Sequence, residues 1–88
     1  MMMERSEILE KVRRMVAEKL GIDLDDVKED ANIIEDLGAD SLDLVDIVMY
    51  VEDTFGIRVE DEELEKIKTL KDIVDGIAKK LEGGSDES

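Results

Sequence analysis

The sequence predicts an all-α fold: a small bundle of three main helices plus one short helix, with a long loop between the first and second helices. Three observations carry this. Apolar residues recur at helical spacing in three long windows, no run alternates over the length of a strand, and glycines punctuate the windows at Gly21, Gly56 and Gly83. At 88 residues the chain is one domain with room for a single core. Residues 1–82 are assigned to the bundle and 83–88 to a disordered acidic tail.

The first helix is expected near Ser6, an N-cap candidate followed by Glu7, where an acid suits the helix dipole. Ile8, Val12, Met15, Val16 and Leu20 then share one face, and Gly21 ends the element. From Ile22 to Ala39 periodicity fails. Asp23, Asp25 and Asp26 supply turn propensity, a short helical turn is expected after Asp25, and several of Ile22, Leu24, Val27, Ile33, Ile34 and Leu37 are expected to pin the loop to the core. A connection of this length points to function.

The next helix opens at Gly38-Ala39-Asp40-Ser41-Leu42. Gly38 suits a turn, Asp40 an N-cap, and Ser41 then lies in the first turn as a fixed, exposed hydroxyl. Leu44, Ile47, Val48, Val51 and Phe55 fall within one arc and face inward, while Leu42, Val45 and Met49 fall on the other side among Asp43, Asp46 and Asp53. This helix has more apolar surface than one core requires. Either it is buried on several sides, or it presents a docking face beside Ser41. Gly56 ends it, Ile57-Arg58-Val59 is an extended linker, and Asp61 is expected to cap a brief helix toward Ile67. Thr69-Leu70-Lys71-Asp72 has the form of a capping box and opens the last helix, whose apolar set is Leu70, Ile73, Val74, Ile77, Ala78 and Leu81.

Composition narrows the chemistry. Cys and His are both absent, which removes disulfides, thiolate metal sites, thiol nucleophiles and the usual neutral-pH general base. With aromatic residues at 2%, the core must be aliphatic. The net charge of -14 is uneven: residues 29–57 carry nine acids and no base, so that segment alone holds -9. Such a strip argues against nucleic acid or an anionic membrane as the main partner and favours basic protein surfaces. Charge runs also serve simply as solvated faces. No window has the length and apolarity of a membrane span, and the Met-Met-Met-Glu-Arg start lacks a signal peptide's apolar stretch, which places the protein in the cytoplasm. A calcium loop is rejected: counted from Asp36, Gly38 falls third rather than sixth and no Glu follows at the twelfth position. No metal site is expected. Nor is Ser41 a hydrolytic nucleophile, because no His can take its proton and a carboxylate with a pKa of about 4 is a weak base toward an alcohol. Ser41 is therefore read as a residue that another protein modifies.

The run Glu35-Asp36-Leu37-Gly38-Ala39-Asp40-Ser41-Leu42-Asp43, continuing into Val45, Asp46, Val48 and Met49, closely resembles the core motif of the acyl carrier proteins of bacterial fatty acid synthesis. The likeness extends from Ile8 through Leu20-Gly21, across Phe55 and Asp61-Glu62-Glu63, to the last helix. The resemblance implies a non-enzymatic carrier, with 4'-phosphopantetheine joined to Ser41 through a phosphodiester by a phosphopantetheinyl transferase that uses coenzyme A. It implies a terminal thiol that holds growing acyl chains as thioesters and moves them among fatty acid synthesis enzymes, with the carrier acting as a monomer. It further implies recognition of basic patches by Asp40, Leu42, Asp43, Val45, Asp46, Met49, Glu52 and Asp53, and shelter for the acyl chain between helices. Glu60 stands where the family often has Pro, and Leu44 and Tyr50 are larger or less polar than is typical. Carriers of polyketide and other specialised pathways share the motif's centre. In a different class stands an acidic helical interaction module in which Ser41 only serves a helix end.

Overall fold

A computed structural model describes residues 4–83. Helix α1 spans Arg5–Leu20, α2 Ser41–Phe55, α3 Asp61–Lys66 and α4 Leu70–Gly83, with a 3-10 turn at Leu24–Asp26. Among the described residues the only β pairing is an isolated antiparallel bridge between Asn32 and Thr69. Helix α1 packs chiefly on α4 and next on α2. The expected helical bundle is what forms.

The inward faces are those the periodicity picks out. Ile8, Val12, Met15 and Val16 of α1, Leu44, Ile47, Val48 and Val51 of α2, and Leu70, Ile73, Val74 and Ile77 of α4 are buried in one cluster. No polar or charged side chain among the described residues is buried with them. Each such aliphatic side chain contributes about 1.5–3 kcal/mol on leaving water, and a core of this kind has no polar atoms to satisfy. The long loop is held down by Val27, Ile33 and Ala39, all buried, with Ile22 and Leu37 packed at the edge. Ile34 does not join them and remains exposed.

Two helix starts differ from expectation for one reason. Helix α1 begins at Arg5 with Glu4, not Ser6, at its N-cap, where the Glu4 N–H donates to Glu7 Oε1 at 2.9 Å. Helix α3 is likewise capped by Glu60 rather than Asp61, and the Glu60 N–H donates to Glu63 Oε1 at 2.9 Å. In both, a carboxylate three residues inside the helix reaches back to the entering N–H, which moves the boundary ahead of the short polar residue that propensity favours. The 3-10 turn starts at Leu24 behind Asp23, not after Asp25, and no side-chain cap bond marks its start. At α4 the expected box forms: the Thr69 N–H donates to Asp72 Oδ2 at 3.0 Å, and the Asp72 N–H to Thr69 Oγ1 at 3.3 Å. Gly21 and Gly56 end α1 and α2 with φ of 68° and 66°. Helix α4 runs through Gly83, one residue past its expected end, and the acidic tail expected at the C-terminus otherwise lies outside the described residues.

Candidate functional site

Ser41 is the first residue of α2 and is exposed. Its position is fixed from both sides. In the preceding loop Asn32 acts as a hub: its Oδ1 accepts the N–H groups of Ile34 at 3.1 Å and Glu35 at 2.9 Å, while its own N–H donates to Asp36 Oδ2 at 2.8 Å. The Ala39 N–H donates to the Ile33 carbonyl at 3.2 Å, and the Ala39 side chain is buried. Gly38 makes the turn between these anchors at φ 79°, a conformation in which a side chain would be strained even though no atom lies within 4 Å of where a Cβ would stand. On the helical side Asp40 and Asp43 form a reciprocal pair: Asp40 Oδ1 accepts the Asp43 N–H at 2.8 Å, and Asp43 Oδ2 accepts the Asp40 N–H at 3.2 Å. Ser41 Oγ is left on a rigid frame with its face to solvent.

The acidic residues expected to form a docking face separate into two kinds. Asp46 and Asp53 are exposed, as are Leu42 at 74% and Met49 at 57% exposure, so this part of the face is open. Val45 is half-buried. Asp40 and Asp43 are occupied in the cap, and Asp43 is half-buried. Glu52 turns toward the α2–α3 linker, where its Oε2 accepts the Val59 N–H at 2.7 Å. Tyr50, outside the expected set, is 47% exposed. The strip is also less one-sided in space than in sequence, because Lys19 of α1 lies 3.4 Å from Asp46 and Arg5 pairs with Glu29. Among the described residues no group of three carboxylates is placed to hold a metal ion.

Ser41 lines one of two neighbouring hollows. A groove of about 390 Å³ is lined by Ser41, Leu44 and Val45 of α2, Leu64 and Glu65 of α3, and Ile34, Ile67 and Lys68. Beyond it, an apolar cavity of about 320 Å³ lies between α2, α3 and α4, walled by Val48, Val51, Ile57, Ile73 and Ile77. Ile67 lines both, so it is the partition between them. At the cavity's rim Lys80 of α4 reaches both carboxylate oxygens of Glu63 in α3, at 3.0 and 2.9 Å. The Glu60 N–H and then Lys80 hold the Glu63 carboxyl below its ordinary value.

The sequence contains little signal for several of these roles. Arg13 looks like an ordinary polar-face residue, yet its guanidinium donates to the carbonyls of Val27 at 2.7 Å and Leu24 at 2.9 Å and clamps the loop onto α1. The pairs Glu52 with Val59 and Glu63 with Lys80 depend on tertiary placement alone. The Asn32 hub was accessible, since Asn followed four residues later by Asp in a non-periodic stretch is turn chemistry.

Known proteins agree with this geometry. The family model described as "Phosphopantetheine attachment site" matches residues 10–77. The acyl carrier protein of Thermotoga maritima is 56% identical over 80 residues, covering 91% of this chain and 99% of the relative. That of Thermosynechococcus vestitus is 48% identical over 79 residues, covering 90% and 98%. A crystal structure of a Thermotoga maritima acyl carrier protein superposes with a TM-score of 0.78 at 46% identity, covering 91% of this chain and 93% of that one. With an exposed hydroxyl framed at a helix start and a matching attachment domain around it, this chain belongs to the acyl carrier protein family.

Proposed function

We propose that this protein carries growing fatty acyl chains as thioesters on a 4'-phosphopantetheine arm attached to Ser41, and moves them between the enzymes of fatty acid synthesis. The observation that carries the reading is the placement of the exposed Ser41 beside a groove whose wall at Ile67 is shared with an aliphatic cavity. The residues present fit the group. Ser41 is exposed and so open to a phosphodiester, Leu44, Val45 and Leu64 give the groove beside it an apolar lining, and Val48, Val51 and Ile77 wall a cavity that can shelter an alkyl chain. When bound, the arm supplies the thiol that a chain without Cys lacks. The protein's own part is to present, shelter and release, as a carrier of the family to which it belongs.

Asp46 and Asp53 with Leu42, Val45 and Met49 form the face offered to the transferase and to synthase enzymes. Asp40, Asp43 and Glu52 support it from the helix start and the linker. Basic patches on those partners suit the charge, which speeds encounter more than it tightens the complex, and exposed ion pairs of roughly 0.2–1 kcal/mol each leave exchange fast. The proposed carrier acts as a monomer in the cytoplasm, beside the enzymes it serves. Among the described residues no helix is long and apolar enough to cross a membrane.

The test is direct. Incubation with coenzyme A and a broad-range phosphopantetheinyl transferase should raise the intact mass of the wild type by one phosphopantetheine and leave Ser41→Ala unchanged. A wild type that gains no mass defeats the proposal.

A further inference from the structure

The phosphodiester of the proposed arm would join an acidic neighbourhood. Asp40 and Asp43 flank Ser41 in the first turn of α2, and Glu35 and Glu65 line the groove that Ser41 opens onto. A further anion there is repelled by each of them, and the groove contains a single cationic side chain, Lys68. Three contacts fix the backbone around it. The Lys68 carbonyl accepts the Ile33 N–H at 2.9 Å, its N–H donates to Asp72 Oδ2 at 2.9 Å, and the adjoining Thr69 bridges Asn32, the hub of the loop that leads to Ser41. The side chain itself is exposed, and among the described residues it has no carboxylate within ion-pairing distance. Of the other bases, Arg5, Arg13, Lys19, Arg58, Lys71 and Lys80 each pair with an acid, and Lys11, Arg14, Lys28, Lys66 and Lys79 do not line this groove. Asp72, four residues on, spends its carboxylate on the N–H groups of Lys68 and Thr69.

We propose that Lys68 is a binding residue for the phosphodiester of the Ser41-linked arm. Its ammonium pairs with the phosphate and turns the first segment of the arm into the groove between α2 and α3, toward Ile67, instead of leaving it to swing free in solvent. The inference rests on the reading of Ser41 given above. It makes the start of the arm's path a property of this chain's charge: with the α2 strip around it, Lys68 is the one cationic side chain of the groove, while the helix start adds a weaker, general preference for anions.

Wild type, Lys68→Ala, Lys68→Glu and Lys68→Arg are loaded with the arm and weighed intact. Relaxation of the arm's methyl signals and of the phosphorus signal is then measured at low and high salt, together with the amide shifts that accompany loading. In the wild type, loading should shift the amides of Ile67, Lys68 and Thr69, and the arm should tumble with the protein at low salt. Its local mobility should rise at least twofold in Lys68→Ala and Lys68→Glu, and in the wild type at high salt, where screening weakens an exposed pair. Lys68→Arg should keep the restricted arm. An arm equally mobile in wild type and Lys68→Ala, or indifferent to salt, overturns the role of Lys68 and leaves Ser41 untouched. A wild type that cannot be loaded overturns the reading of Ser41 instead.

Discussion

Helices α2 and α3 follow one another in the chain and both start with an acid reaching back to the entering N–H, yet they are held in opposite ways. Helix α2 sinks Leu44, Ile47, Val48 and Val51 into the core, whereas α3 buries no residue at all. What holds α3 is peripheral: Leu64 and the following Ile67 pack part-buried at the edge, and Glu63 is tied to Lys80. One helix carries Ser41 and must not move relative to the loop and partner face; the other walls the groove and cavity. Anchoring by buried area resists opening, while anchoring by a few partly solvated contacts lets a segment open at low cost. The division of labour between a fixed bearer and a releasable wall is thus written in where the apolar area went.

Equivalent truncations test that contrast most strongly. Ile47→Ala removes three carbons from a side chain only 1% exposed and should destabilise the fold by about 2–5 kcal/mol. Leu64→Ala in α3 should cost about 1 kcal/mol or less, since its site is already half open and can collapse. Urea unfolding gives both numbers, and amide exchange should show α3 protected far less than α2 in the wild type. Equal costs would mean that α3 is as integral to the core as α2.

How much of this was legible in the sequence follows from the same contrast. The faces of α1, α2 and α4 are readable because a helix that buries a stripe must repeat it every three to four residues, and Ile47 or Val74 could be placed from spacing alone. Ser41 was readable for a local reason, since Gly38 and Asp40 are the residues a turn and a helix start require, whereas the part Asp43 takes in the cap was not read from its place on the outward face. Helix α3 has no stripe, so its wall function and its tie to Lys80, seventeen residues on, left no periodic trace. The cap positions were misjudged where Glu served at Glu4 and Glu60, because propensity ranks short side chains and takes no account of the reciprocal carboxylate. The nine acids without a base between residues 29 and 57 were counted correctly, but sequence distance hid the fact that Lys19 and Arg5 lie beside two of them.

Within α2 the docking acids themselves divide into structural and free, and charge reversal sharpens that division. Asp43→Lys removes an acceptor from the cap and sets a cation at a helix start, so it should cost about 1 kcal/mol of stability besides weakening partner binding. Asp46→Lys gives up only the exposed pair with Lys19 and should change stability by a few tenths of a kcal/mol while weakening association with a synthase enzyme at low salt. Melting curves and binding titrations on the two variants separate the effects. Matching losses of stability would show that Asp43 is no more a part of the frame than Asp46.

The smallest effect probes the wall directly. Lys80 holds the Glu63 carboxyl below its ordinary value of 4.5, second to the Glu60 N–H. A carboxyl whose pKa is lower in the folded state stabilises fully above the unfolded value, and the contribution fades as the pH falls through the folded one. Both side chains are partly solvated, at 29% and 43% exposure, so solvent screening keeps the pair below about 1 kcal/mol. Lys80→Met should therefore unfold at a slightly lower urea concentration than the wild type at pH 7. The gap should stay constant down to about pH 4.5 and then close as Glu63 takes up a proton. The backbone bond from Glu60 is present in both proteins and cancels in the comparison, so the closing gap reports the α3–α4 tie alone. Faster amide exchange in α3 but not in α2 should accompany the substitution at pH 7. A gap that persists unchanged to pH 3 would assign the loss to packing of the Lys80 stem, and α3 would then be held by apolar contact like its neighbour.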